Sequence, residues 1–308
     1  MVFAGLVVWG TLAGIGSANA AGLDKQDAVD HVEKLDVHSA VSLRAKYAEL
    51  QAQLSHNQFK RPLYMDSIES PNHLKGDIYA LVDYPFATVN TALNDPAHWC
   101  DVLTLHLNIK YCQASVNKSV SSLMVSIGTK YDKPLSEAYP VKFTYNGVVN
   151  TPEYFAVRLN AKNGPLSTSD YHIQLEAVSV ADGKTFLHLT YSYAYSFTGR
   201  LAMQGYLATI GRDKVGFTTL QDVNGKQVHQ ADYIGGVRGL IERNTMRYYL
   251  AIDSYLAAFS APPAAQREMR LQNWFASTEQ YHRQLHEMDR ATYLEMKHSE
   301  YLRQQKTP

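Results

Sequence analysis

One change of period restricts this chain more than anything else in it. Between Leu74 and Leu220 the apolar residues recur mostly at every second position, in segments cut apart by turn residues. After Gly235-Gly236 they recur every third or fourth position, in one stripe of Val237, Ile241, Thr245, Tyr248, Ile252, Tyr255 and Phe259. Period two marks a strand with one buried face, and period 3.6 marks a helix. A chain that completes its strands and then makes one long amphipathic helix buries both apolar surfaces most directly by laying the helix on the sheet. The expected class is therefore α+β, with a curved antiparallel sheet wrapped around a long C-terminal helix and extra helices at both ends.

Strands are predicted at 74–84, 105–114, 123–127, 138–146, 154–159, 171–180, 185–197 and 211–220. The clearest pair is the hairpin around Gly183. Its second arm puts Leu187, Leu189, Tyr191, Tyr193 and Tyr195 on one face, and its first arm answers with Tyr171, Ile173, Leu175 and Ala177. Twenty-one tyrosines, with many Thr and Val, suit a large sheet. Pro85 closes the first strand and opens a short helix over 86–93, which Asn94-Asp95-Pro96 stops. A loop or second short helix carrying Trp99 and Cys100 follows.

The flanks read differently. Residues 1–20 carry no charge, an apolar run from Val2 to Ile15 and the ending Ala18-Asn19-Ala20, the pattern of a cleaved export signal, although the usual basic n-region is absent. The apolar run is shorter than the roughly 20 residues a membrane anchor needs. Residues 21–73 form a helical region, with Ala28, Val32, Leu35, Val41, Leu43, Tyr47, Leu50 and Leu54 mostly at helical spacing. A connector over 58–75, which carries Pro62 and Pro71 and reads as a loop or extended crossing, follows. Residues 74–260 make the main domain. Residues 261–308 form a helical tail after Pro262-Pro263, with charges of alternating sign and few apolar positions, read as a surface or packing element.

Export makes a bridge between Cys100 and Cys112, the only two cysteines, the expected state. Closing so short a loop stabilises a fold by roughly 3 kcal/mol in the chain-entropy model. Acidic and basic residues balance to a formal charge of zero and are interspersed, which argues against a nucleic-acid partner. The chain has no G-x-S-x-G elbow, H-E-x-x-H, P-loop or dinucleotide fingerprint, and no cofactor is implied.

The element order resembles the helix-grip fold of the START-like (SRPBCC) superfamily, which includes lipid-transfer domains, plant allergen-type ligand carriers and polyketide cyclases. The most specific stretch is Asp83-Tyr84-Pro85-Phe86-Ala87-Thr88-Val89, followed by Ala92-Leu93-Asn94-Asp95-Pro96-Ala97-His98-Trp99. It is similar to the family's first strand and following helix, and the resemblance covers about 74–259. The disulfide, the N-terminal helices and the C-terminal tail depart from the general pattern and imply an exported branch with its own partners.

The resemblance implies a cavity between sheet and final helix. Tyr191, Tyr193 and Tyr195 would face Tyr248, Ile252 and Tyr255, an apolar pocket with phenolic hydroxyls as orienting groups. The same periodicity also describes a filled core. Arg238, Glu242, Arg243, Asn244 and Arg247 are the densest charged group on the helix. They read either as structural ion pairs or, with Arg243 or Arg247 at the cavity mouth, as a clamp for a carboxylate or phosphate. Glu242 qualifies as a general acid or base only if buried. His282 and His286 stand at ligand spacing without an evident third ligand and read as a solvated pair, so no metal site is expected, and His98 and His106 read as loop-packing residues.

Three functions are compatible with this pattern. The leading one is a periplasmic or secreted protein that binds or carries a lipid or other apolar small molecule, with transient membrane or envelope-protein contact. The others are a cyclase- or hydratase-type enzyme using the same cavity, and an envelope interaction module with a filled core.

Overall fold

The computed structural model describes residues 40–116, 120–209, 212–219 and 233–306. The expected signal at 1–20 and the helical stretch up to residue 39 lie outside the described residues. Among those described, eight strands form one antiparallel sheet in the order β1-β2-β8-β7-β6-β5-β4-β3. They are β1 (Leu63–Ser70), β2 (His73–Val82), β3 (Ile109–Ser115), β4 (Ser121–Ile127), β5 (Tyr139–Asn150), β6 (Tyr154–Asn163), β7 (Thr168–Ser179) and β8 (Thr185–Tyr195).

A helix over 40–49, a turn at Leu50 and α1 (Gln51–Ser55) precede the sheet. Between β2 and β3 come α2 (Phe86–Leu93) and α3 (Pro96–Leu103), and after β8 come α4 (Phe197–Ala208) and α5 (Gly236–Phe259). The chain continues through α6 (Pro263–Glu279), α7 (His282–Leu285) and α8 (Arg290–Lys306).

The single long helix does what the change of period requires. α5 lies across β2, β1 and β8, and Ile241, Tyr248, Ile252 and Tyr255 enter one core with Ile78, Leu187, Leu189 and Tyr191. Gly76 on β2 permits the close approach, because a Cβ there would overlap the Thr245 hydroxyl. This is a helix-grip α+β architecture. No helix among the described residues is long and apolar enough to cross a membrane.

The opposite face of the sheet is covered too. Leu43, Leu50 and Leu54 pack on Tyr154, Ala156, Val178 and Phe186, residues of the parity that points away from α5. Beside this patch His188 bridges Asp77 (2.9 Å) and Glu176 (3.0 Å). Burial alone would lower the imidazole's pKa, but its hydrogen bonds to the two carboxylates hold it above the usual value.

Three elements differ from the sequence reading. The connector at 58–75 contains β1. Pro62 and Pro71 bracket that strand rather than interrupt it, and an edge strand needs ladder partners on one side only. The strand expected over 211–220 is absent from the described part of that segment, which makes one isolated bridge, Thr219 to Tyr233. The strand expected to reach Phe197 ends at Tyr195, and α4 begins at Phe197 itself.

At residues 96–103 the helical alternative holds. Asp95 caps α3 by accepting from the Ala97 N–H (2.8 Å), and Pro96 occupies the first turn, where its missing N–H costs nothing. A disulfide joins Cys100 on α3 to Cys112 on β3, with Cα atoms 5.2 Å apart. The tail is three helices rather than one region. Several of its apolar residues, among them Trp274, Leu285, Tyr293 and Met296, enter the main core, while Met269, Tyr301 and Leu302 stay exposed.

Candidate functional site

The residues expected to line one cavity fall at three places along α5. At its middle, Tyr191 and Tyr193 of β8 meet Tyr248, joined by Tyr171 of β7. Ring centroids are 5.0 Å apart for Tyr191–Tyr248, 5.7 Å for Tyr191–Tyr193 and 5.2 Å for Tyr171–Tyr193. Burial pushes all four phenols above their ordinary pKa, so they stay neutral hydrogen-bonding groups. The Tyr171 hydroxyl pairs with that of Thr168 (2.7 Å), and that of Tyr193 points at Met203 Sδ (3.8 Å). Rings in stacked, tilted and edge-to-face contact occupy this part of the interior.

Tyr195 lies toward the β1 edge, where its hydroxyl donates to the Ser70 carbonyl (2.9 Å). Tyr255 lies toward the C-terminal end of α5, near His98 and Phe259 and beneath the guanidinium of Arg270, 4.2 Å from its ring centre. Ile252 is buried between the two ends.

The charged residues of α5 hold neighbouring segments. Glu242 is fully buried and accepts from the hydroxyls of Ser67 and Thr218 (both 2.6 Å) and from the N–H groups of Phe217 (2.6 Å) and Thr218 (2.9 Å). Gly216 leaves room for it, since a Cβ there would overlap its carboxylate. Four donors make Glu242 an anchor that ties α5 to β1 and to residues 215–219, not a group placed to pass a proton. Arg243 donates to the Val215 carbonyl (3.2 Å), and Arg247 donates to Glu287 (2.7 Å) and Asn244 (3.3 Å). Both guanidiniums are buried.

The most unusual chemistry lies where α3 and β3 meet α6 and α8. A hollow of about 470 Å³ opens there, walled by Leu105, Pro263, Leu271 and Tyr301 and by the charged side chains of Asp101, Lys110, Arg267, Arg270, Lys297 and Glu300. Lys110 and Lys297 both donate to Glu300 (2.8 and 2.9 Å), and these three side chains are only 3, 3 and 6% exposed. Lys297 also donates to the carbonyls of His106 (2.8 Å) and Ile109 (3.1 Å). Arg270 pairs with Asp101 (2.6 Å), while Arg267 stacks 3.5 Å above the ring of Tyr301.

Two ammonium groups on one carboxylate leave a local surplus of positive charge out of water. Burial pushes Lys297 down to about 8, Glu300 opposes that shift, and Lys110 adds to it. His106 stands next to this corner, its ring stacked on Tyr248 (centroids 4.9 Å) and its Nδ1 accepting from the Asn108 N–H (3.1 Å). Burial first, then the nearby cations Arg247 and Lys297, hold its pKa well below the ordinary value, and the ring is neutral.

None of the five residues Lys110, Arg267, Arg270, Lys297 and Glu300 was singled out from the sequence. A signal exists in hindsight. Tyr293, Met296, Lys297 and Glu300 recur at spacings of three, one and three, so two charges sit on the buried stripe of α8.

No family model matches the chain, and no curated protein matches it significantly. Among solved structures it is similar to norcoclaurine synthase from Thalictrum flavum, at 11% identity and a TM-score of 0.29 over 48% of this chain and 82% of that one. It is also similar to the di-domain ARO/CYC BexL from the BE-7585A biosynthetic pathway (11% identity, TM-score 0.30, 81% of this chain and 61% of that one). A third is CalU16 from Micromonospora echinospora, at 12% identity and TM-score 0.27 over 72% of this chain and 97% of that one. Likenesses this distant carry no argument about chemistry. The helix-grip assignment rests on the chain's own sheet order and its long helix.

Proposed function

We propose that this is an exported, START-like binding protein that holds or carries a lipid or other amphipathic molecule with an anionic head group. The observation that carries the reading is the hollow between α3, β3, α6 and α8, where Lys110 and Lys297 share one carboxylate beside apolar walls. A carboxylate or phosphate would supply the negative charge the corner lacks, and Arg267, on the surface side, would meet it as a planar donor. The apolar part of the ligand would lie along Leu105, Leu271 and Tyr301. Export, to a periplasm or outside the cell, is supported by the leader pattern at 1–20 and by the Cys100–Cys112 bridge.

Native mass spectrometry of protein purified from its own compartment, combined with uptake of anionic and zwitterionic lipids from vesicles, tests the proposal. An anionic amphiphile should co-purify, and anionic lipid should be taken up preferentially, with Arg267→Ala weakening uptake about tenfold without unfolding the protein. A chain that carries nothing and takes up no lipid would sink the reading.

One observation favours a second reading, an enzyme of the cyclase or hydratase kind. Lys297 lines the hollow, and burial lowers it to about 8, the range to which lysines that exchange protons in catalysis are tuned. Lys297→Arg would then abolish turnover of a bound carbonyl compound while leaving its binding intact, whereas a carrier would show no turnover at any residue.

A further inference from the structure

A separate cluster lies at the junction of α6 and α7, away from the hollow's lining residues. The spacing of His282 and His286 offers two metal ligands, and the fold brings up a third, Glu279, the last residue of α6. Glu279 Oε2 is 3.0 Å from His282 Nδ1 and 3.1 Å from His286 Nδ1, and Oε1 is 3.0 Å from His286 Nδ1. One donor atom from each residue lies within 4.8 Å of the others, and this is the one such group among the described residues. The two imidazoles stack face to face with centroids 4.1 Å apart, so both present the same nitrogen to the same carboxylate.

We propose that Glu279, His282 and His286 form a binding site for a divalent transition-metal cation of the zinc class. A tetrahedral ion with bonds of about 2.0–2.1 Å to nitrogen and oxygen has ligand–ligand edges of about 3.3 Å. The two nitrogen–oxygen edges, at 3.0 and 3.1 Å, therefore need to lengthen by only a few tenths of an ångström around an ion that replaces the shared protons, and the two nitrogens adjust by rotation of the imidazoles. Two imidazoles and a carboxylate make a ligand set that zinc, nickel and copper accept and that magnesium and calcium, which take oxygen ligands, do not. The His282 side chain is 67% exposed, so a fourth coordination position opens to solvent.

The backbone under these ligands is held in place. Leu285 is buried between the two histidines, and Tyr281 donates its hydroxyl to the Phe59 carbonyl (2.8 Å). Lys214 donates to the His286 carbonyl (2.5 Å) and pairs with Glu287 (3.4 Å), which Arg247 of α5 also holds. Bound metal would thus clamp the α6–α7 turn to an already anchored segment, and the ligand rotamers are the main freedom lost on binding.

The test is titration of chelator-treated, tag-free full-length protein with zinc chloride by calorimetry, repeated with cobalt(II) to read coordination from the visible spectrum. One zinc per chain is expected at micromolar affinity or better, with the intense visible cobalt absorption that marks tetrahedral geometry. His282→Ala, which removes an exposed side chain, and Glu279→Gln should each weaken binding at least tenfold while thermal unfolding of the metal-free protein is unchanged. Absence of saturable 1:1 binding would overturn the site. So would binding that His282→Ala with His286→Ala leaves intact, since the ion would then sit on other ligands.

Discussion

Two buried glutamates meet opposite circumstances in this molecule. Glu242 on α5 receives four hydrogen bonds at 2.6–2.9 Å, from Ser67, Phe217 and Thr218, and ties together three parts of the chain. Glu300 on α8 receives two ammonium groups, Lys110 and Lys297, beside a hollow of about 470 Å³. In the first place donors that belong to the fold satisfy the anion, mostly neutral hydroxyl and backbone groups. In the second the cations outnumber the anion and a space lies next to them. A saturated charge is a structural fastening, while an unbalanced one beside a cavity is where an outside ion lowers the free energy.

The largest expected effect tests the fastening. Glu242→Ala leaves buried hydroxyl and N–H donors without an acceptor and should destabilise by about 3–5 kcal/mol, read as a lowered urea midpoint. A loss below about 1 kcal/mol would break the comparison, because it would mean that water or rearrangement replaces the carboxylate at no cost.

The next effect concerns the frame of the hollow. Replacing both Cys100 and Cys112 with Ser should cost roughly 3 kcal/mol, chiefly through the unfolded chain. Because the bridge joins α3 to β3, it should also loosen exchange protection around Lys110 more than around Glu242, which hydrogen exchange would resolve residue by residue.

Lys297→Met sharpens the contrast from the other side. It removes one of two cations from a single carboxylate and leaves the Lys110–Glu300 pair in place. Stability should change by less than about 1.5 kcal/mol in either direction. Affinity for an anionic amphiphile should fall about tenfold, equal to about 1.4 kcal/mol. Equal losses of stability and binding would mark Lys297 as a fastening like Glu242.

The smallest effect is in the pH dependence of stability, where two histidines act with opposite sign. His188 is raised above its unfolded value between Asp77 and Glu176. Its contribution is present in full below about pH 6.5 and is lost as pH rises through the folded pKa. His106 is depressed by burial and nearby cations. The unfolded chain takes up its proton near pH 6.5 and the native state does not, so stability falls as pH drops below that point. His106→Gln should flatten the acid side of the stability curve, and His188→Gln the side above about pH 6.5. Urea titrations between pH 5 and 8 would check both, and a variant that flattens the wrong side would refute the assignment for that residue.

Much of the fold was legible because it depends on period. Leu187 to Tyr195 alternate, Val237 to Phe259 recur at helical spacing, and both patterns follow from the direction in which each Cβ points. β1 was hidden because Pro62 and Pro71 are turn signals whichever side of a strand they stand on. The sequence at 211–220 looked like a strand, yet the main-chain N–H groups of Phe217 and Thr218 donate to Glu242, a residue 25 and 24 positions away. No local pattern carries that information.

The candidate site was legible only in part. Tyr191, Tyr193 and Tyr248 do meet, since they share the inward faces of neighbouring elements. Tyr195 and Tyr255 share the same faces but sit toward opposite ends of the sheet–helix contact, and periodicity names a face without naming a place along it. Lys110, Lys297 and Glu300 come from β3 and α8, separated by most of the chain, and a lone lysine in a strand is normally solvated. Glu279 was overlooked beside His282 and His286 because its spacing from them crosses the break between α6 and α7.

By itself the sequence determined the α+β class, the antiparallel run of strands, the helix that grips them and the pairing available to two cysteines. Each follows from short-range regularities of backbone geometry or from a count. Only the tertiary structure decided which charges are buried together, that Glu242 is saturated while Glu300 is shared, and where a hollow remains. Those outcomes depend on distances between residues far apart in the chain, and the free energy of a buried charge is set by its neighbours in space rather than its neighbours in sequence.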